Sequence, residues 1–164
     1  MSGTSWVKVG AVLGFLAVTI GAFGAHGLKD RLDALGTAAT FETGVHYHMF
    51  HTLAVLAVGL LMISRPPTSG RAENIAGWAF LIGVILFSAS LYVLSVTGIK
   101  VLGAITPLGG VAFLVGWAAF FVAASSSSTI SISDTASMSH ASNGASPMDF
   151  GIKDRATSRE ESSR

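Results

Sequence analysis

Residues 75–99 read IAGWAFLIGVILFSASLYVLSVTGI and contain no Asp, Glu, Lys or Arg. A helix needs about 20 mostly apolar residues to cross the hydrocarbon core of a bilayer, and this stretch is long enough. Residues 9–28, 43–64 and 101–133 also lack these four residue types. The pattern therefore predicts four membrane-spanning helices, near residues 7–25, 45–63, 75–96 and 107–124.

The composition favours lipid over water as the surrounding solvent. Of the 164 residues, 12% are charged and 51% are hydrophobic, whereas a soluble domain carries roughly 25% charged residues. The apolar runs show no polar alternation, which argues against the strands of a membrane barrel. A net charge of +1 gives no basic face for nucleic acid, and the lack of cysteine excludes disulfides and cysteine-ligated zinc.

Short polar segments separate the predicted spans. They are charged at residues 29–33, carry two consecutive prolines at residues 66–67, and form a Thr-Gly break at residues 97–98. Short links make neighbouring helices antiparallel, so we predict an all-α, up-down four-helix transmembrane bundle over residues 1–124. Residues 125–164 are rich in Ser and Thr and poor in large apolar side chains, which predicts a disordered tail.

The first predicted helix has two features of its own. It resembles a secretory signal peptide, but Lys8 follows Trp6 and three more spans come after it, so we expect the helix to be retained. Gly10 and Gly14 form a Gly-x-x-x-Gly pair that Gly21 continues at helical spacing, which predicts a close helix-packing face. The alternative is that glycine is simply common in membrane helices. Cationic residues near the helix ends are balanced and leave the orientation open.

Histidines are the candidate functional residues. His26 ends the first predicted helix, and His48 and His51 lie on one face of the second with Gly44. The end of the first helix meets the start of the second, which allows His26 to approach that pair. Tyr47 directly precedes His48 in the sequence. Three interpretations compete: interhelical hydrogen bonding, proton handling and metal binding. We predict no metal site, because that face carries no carboxylate ligand.

Other polar and aromatic residues have simpler interpretations. The serines of the third span and Tyr92 are expected to pack or to bond locally. Aromatic residues near predicted helix ends are typical of interfacial belts, and this interpretation covers Trp6, Trp78, Trp117 and Tyr47.

Three stretches resemble one known family. They are residues 21–28 (GAFGAHGL), residues 41–51 (FETGVHYHMFH) and residues 102–110 (LGAITPLGG), the last followed by Gly116-Trp117. They are similar to the YgdD-like family, which consists of small four-helix bacterial inner-membrane proteins of unknown function. The family's Gly-Ala-His-Gly motif matches residues 24–27, and its Tyr-x-x-x-His motif matches Tyr47 and His51. Many members have Gln where this chain has His48, which weakens a metal role for that residue.

The functional prediction is a multi-pass bacterial inner-membrane protein with a structural or partner-binding role. No nucleophile–base pair, phosphate loop or dinucleotide motif is present, so we predict no enzyme and no cofactor. The expected partners are the lipid bilayer and either a second copy of the chain or another membrane protein, with no nucleic acid. The alternative is a small transporter or a proton- or metal-handling protein that uses His26 and His51.

Overall fold

The fold is a bundle of long apolar helices, described by a computed structural model for residues 1–65 and 70–125. The helices are α1 (Gly3–His26), α2 (Lys29–Leu35), α3 (Ala38–Ile63), α4 (Arg71–Gly83), α5 (Ser90–Thr97) and α6 (Thr106–Ser125). A π-helical segment (Val84–Ala89) joins α4 to α5, and a 3₁₀ helix (Lys100–Ala104) precedes α6. Four helical stretches are long and apolar enough to span a membrane, and the described residues contain no strand. The predicted all-α transmembrane fold is confirmed.

The observed helices extend beyond the predicted spans. α3 begins at Ala38, seven residues before the span predicted from residue 45. Gly36 takes a left-handed conformation (φ 65°) that ends α2, and the chain then turns into α3. α6 ends at Ser125, where the disordered tail was predicted to begin. The rest of that predicted tail lies outside the described residues.

The link between the first two spans is helical, although the sequence predicted only a charged break there. Lys29 and Asp33 stand one turn apart on α2 and form an ion pair at 2.7 Å. Leu32, also on α2, is buried. The Arg31 Nε–H donates to the Val96 carbonyl at 3.1 Å and ties α2 to the end of the third span.

The helices alternate in direction as predicted. At one end of the bundle the N-terminal ammonium donates to Asn74 Oδ1 at 2.7 Å, and Arg65 donates to the Ala123 carbonyl at 2.6 Å. This end therefore holds the N-terminus, the start of the third span and the end of α6. At the other end the Thr37 hydroxyl donates to the Ser95 carbonyl at 2.7 Å.

Two tightly packed pairs of helices build the bundle. α1 packs chiefly on α3, and α4 packs chiefly on α6, while α3 and the third span (Arg71–Thr97) join the pairs at the centre. In the second pair a glycine on each helix packs against a phenylalanine ring of the other helix: Gly83 lies under Phe113, and Gly116 lies under Phe80. A methyl group at either glycine would overlap the facing ring. Small residues allow this approach where lipid removes the hydrophobic drive for helix association.

The three glycines predicted to form a packing face on α1 all lie toward α3, at different distances. A Cβ at Gly10 would lie 2.6 Å from the Leu56 side chain, and one at Gly21 would lie 3.3 Å from Val45. At Gly14 the nearest atom would be a Thr52 methyl at 3.6 Å, which is ordinary contact. The face is thus used inside the chain, most tightly at Gly10.

The third span departs from the predicted uninterrupted α-helix. The π-helical segment lies where α6 comes nearest, since a Cβ at Gly109 would be 2.5 Å from the Phe87 backbone nitrogen. The Ser90 hydroxyl donates to the Phe87 carbonyl at 2.8 Å and lies 3.1 Å from the Thr106 hydroxyl. A π-helical turn interrupts the regular i to i−4 hydrogen bonds of the backbone. Polar side chains such as that of Ser90 then bond to the backbone carbonyls at the interruption.

Candidate functional site

His48 and His51 are both buried on α3, but they bond to different neighbours. The three-residue step between them turns the helix by about 60° short of a full circle. His48 meets Tyr92 on α5, whereas His51 meets Trp117 on α6. The shared face predicted for them therefore divides between two helix interfaces.

Both ring nitrogens of His51 are hydrogen-bonded. Trp117 Nε1–H donates to His51 Nε2 at 3.3 Å, and His51 Nδ1 lies 2.8 Å from the Tyr47 carbonyl oxygen. An indole nitrogen only donates and a carbonyl only accepts. The two bonds together assign His51 as the neutral tautomer with its proton on Nδ1, and they leave no lone pair free for a metal.

Aromatic rings enclose His51. Its ring stacks on Phe113 with centroids 3.4 Å apart and planes 7° apart, and it meets the edge of Phe50 at 5.5 Å. Phe80 and Trp117 close the remaining sides. This packing and the two hydrogen bonds together fix the orientation of the imidazole.

His48 is less completely satisfied. Its Nδ1 lies 3.2 Å from the Tyr92 hydroxyl, while its buried Nε2 has no hydrogen-bond partner in the described residues. Three hydroxyls in the described bundle are likewise buried and unpartnered: Thr52, Ser88 and Ser95.

The remaining candidates lie apart from this buried pair. His26 is exposed at the end of α1 and makes no described hydrogen bond with the other histidines. Within residues 1–65 and 70–125, no three His, Asp or Glu side chains are grouped closely enough to hold a metal ion. Tyr47 contributes its backbone carbonyl to His51, and its ring stacks on Phe87 at 4.4 Å.

A groove opens beside His51 on the outer face of the bundle. This α3–α6 groove has a volume of about 660 Å³. Its lining is mostly aromatic: His46, Tyr47, Phe50, His51, Phe87, Gly110, Phe113, Leu114 and Trp117. The Tyr47 ring is 43% exposed here, and its hydroxyl has no hydrogen-bond partner among the described residues.

Trp117 and Phe113 are the site residues that sequence reasoning missed. Trp117 was expected in an interfacial belt, but it lies in the middle of α6 and bonds to His51. The expectation of local bonding fails for Tyr92, whose hydroxyl reaches His48 across the helix interface. One signal was present: a tryptophan far from both ends of a span requires an acceptor inside the bundle.

Comparisons with known proteins place the chain among small bacterial membrane proteins. The model of a family described as "Protein of unknown function (DUF423)" matches residues 20–110. UPF0382 membrane protein YwdK of Bacillus subtilis is 47% identical over 73% of this chain and 94% of its own length. Staphylococcus saprophyticus has a UPF0382 membrane protein 42% identical over 68% of this chain and 89% of its own. A UPF0382 membrane protein of Haemophilus influenzae is 43% identical over 65% of this chain and 82% of its own length. No solved structure matches the chain.

Proposed function

We propose that this chain, which belongs to the DUF423 family of membrane proteins of unknown function, is a non-catalytic membrane component that binds a transmembrane helix of a partner in its α3–α6 groove. The chain is a multi-pass bacterial membrane protein, so any partner at this depth meets it within the bilayer.

The unpaired hydroxyl of Tyr47 is the observation that carries the proposal. Tyr47 is nine residues into α3, about 14 Å from its start, where lipid tails supply no hydrogen-bond partner. Stacking on Phe87 holds the ring in the groove, away from the bundle end. A polar group from a partner helix would satisfy the hydroxyl that lipid leaves unpaired.

The shape of the groove supports a helix as the occupant. Gly110 lies in the groove, and a Cβ there would meet no atom within 4 Å. A second backbone can approach closely at such an open glycine, as helices in membranes commonly do. The glycines of α1 leave less open surface for a partner helix, because Gly10 and Gly24 are already buried against α3.

The bonding of the histidines supports a structural role over transport. His51 has both ring nitrogens bonded inside the bundle, and His26 is exposed at the end of α1. A proton or metal relay through these two residues would have to break the Trp117–His51 bond between α6 and α3 or the bond from His51 to the Tyr47 carbonyl. Nothing in their geometry favours catalysis or transport.

Photocrosslinking in native membranes tests the proposal. A photoreactive amino acid replaces Leu114, which is 71% exposed in the groove, and the matched control replaces Val18 on α1, which is 63% exposed outside it. We expect a protein adduct at residue 114 and lipid adducts alone at residue 18. Adding Tyr47→Phe should lower the adduct yield about fivefold, the equivalent of one hydrogen bond of about 1 kcal/mol.

The mass of the adduct shows whether the partner is a second copy or another protein. Lipid adducts alone at both positions would contradict the proposal. So would an adduct at residue 114 whose yield does not change with Tyr47→Phe.

A further inference from the structure

A second cavity lies at the bundle end that carries α2. It has a volume of about 320 Å³ and is formed where α1, α2 and α3 meet. Its charged and polar rim consists of Lys29, Asp33, Glu42 and His46, and its apolar floor includes Gly24 and Phe41. We call it the α2 pocket.

The α2 pocket is built by features already fixed in the fold. Gly24 allows the Phe41 ring to lie directly against α1, since a methyl group at Gly24 would overlap that ring. Burial of Leu32 and the bond from Arg31 to Val96 hold α2 across the bundle end. The rim is therefore positioned by packing that does not depend on any occupant.

The rim has one negative charge without a partner. Lys29 and Asp33 neutralise each other at 2.7 Å, and their hydrogen bond raises the pKa of the Lys29 ammonium, which stays protonated at neutral pH. Glu42 makes no ion pair or hydrogen bond with the described residues. The charges of Lys29, Asp33 and Glu42 sum to −1, and the pocket offers a carboxylate beside an ammonium.

The depth of the pocket matches that of lipid headgroups. α2 lies outside the membrane-spanning helices, and Glu42 is four residues into α3, about 6 Å from its start. Lys29, Asp33 and Glu42 thus lie in the interfacial layer, while His46, one turn deeper on α3, lines the part of the pocket that continues between α1 and α3 toward the hydrocarbon core. An amphiphile with a charged head and an apolar tail fits both parts.

We propose that the α2 pocket binds a phospholipid whose headgroup carries a primary amine. The ammonium would bind Glu42, and the phosphate would bind Lys29 through the ammonium protons that Asp33 leaves free. A primary ammonium donates three hydrogen bonds to carboxylates. A quaternary ammonium donates none and prefers aromatic cages, and an anionic headgroup meets the net negative rim.

Mass spectrometry of intact lipid complexes tests this proposal. The purified full chain is mixed with equal amounts of phosphatidylethanolamine, phosphatidylcholine and phosphatidylglycerol that carry the same acyl chains. We expect phosphatidylethanolamine to be retained about tenfold over each of the others, a difference of about 1.4 kcal/mol. Glu42→Gln should reduce that preference to less than twofold.

Asp30→Asn is the matched control, because Asp30 lies on α2 but does not line the pocket. It should keep the wild-type preference. Equal retention of the three lipids by the wild-type chain would overturn the proposal, and so would a Glu42→Gln variant that still prefers the amine. If Glu42→Gln fails to fold, the wild-type preference and its loss in Glu42→Ala decide. Lys29→Met, which removes the phosphate contact common to the three lipids, should lower retention of all of them and keep the preference for the amine.

Discussion

Trp117 on α6 donates its indole N–H to Nε2 of His51 on α3 at 3.3 Å, and this bond joins the second and fourth spans in the middle of the bundle. The third span packs between the backbones of α3 and α6 over much of their length, and the two helices meet mainly through aromatic side chains such as the stacked rings of His51 and Phe113. The bond lies at the inner edge of the α3–α6 groove and holds that edge in place.

A double-mutant cycle on Trp117→Phe and His51→Phe should show coupling. Each single change removes the interhelical bond, and the double variant leaves no partner unpaired. We expect a coupling free energy of about 0.5–1.5 kcal/mol, the range for hydrogen bonds between membrane helices. The measurement is the free energy of unfolding in mixed micelles. Trp78→Phe is the control, because Trp78 is half exposed and its N–H has no described acceptor; coupling of that size between Trp78 and His51 would contradict the prediction.

Two serines in the third span should respond oppositely to alanine. Ser88 is fully buried and its hydroxyl is unpartnered, so Ser88→Ala should leave the free energy of unfolding unchanged or raise it by about 1 kcal/mol. Ser90 bonds the Phe87 carbonyl and Thr106, so Ser90→Ala should lower it by about 1 kcal/mol. An equal loss in both variants would mean that the Ser88 hydroxyl is bonded in the folded protein, by water or otherwise.

The glycines of α1 predict graded effects along a single helix face. Gly10→Ala should destabilise the bundle by about 1–3 kcal/mol, because the new methyl group forces the Leu56 side chain to move. Gly14→Ala should be neutral or slightly stabilising, since its methyl group makes ordinary contact with Thr52 and alanine favours the helix. Thermal unfolding of the two variants side by side measures this difference, and equal melting temperatures would be inconsistent with the α1–α3 packing.

The spans were predictable from the sequence because charged side chains are unfavourable in the hydrocarbon core of a bilayer. Charge is excluded over about 20 residues, and the gaps between charged residues show where each helix crosses. Helical periodicity predicted one shared face for His48 and His51, whereas His48 contacts α5 and His51 contacts α6. It could not identify their partners, because Tyr92 and Trp117 lie on other helices and their positions depend on tertiary packing. The Gly-x-x-x-Gly pattern likewise could not rank Gly10 above Gly14, since the difference depends on Leu56 and Thr52 of α3.

The π-helical segment is the feature least accessible to sequence reasoning. Residues 84–89 are apolar apart from Ser88 and contain no glycine or proline that would mark a change of helix type. The close neighbour is Gly109, which is distant in sequence and brings α6 against the Phe87 backbone. The local geometry is therefore tied to an interhelical contact that no local pattern reports.

Adjacent glycines on α6 provide the test of that contact. Gly109→Ala should destabilise the bundle by about 2–3 kcal/mol, because its Cβ would lie 2.5 Å from the Phe87 nitrogen and backbone cannot move aside as a flexible side chain does. Gly110→Ala places the same methyl group in open space, so the free energy of unfolding should stay constant or rise by up to about 1 kcal/mol through helix propensity. Both variants have the same composition and differ by one position, which removes propensity as an explanation for any difference. Hydrogen exchange at the amides of residues 84–89 should rise in Gly109→Ala alone. Unchanged exchange together with unchanged stability would show that the approach of α6 does not hold the π-helical segment in place.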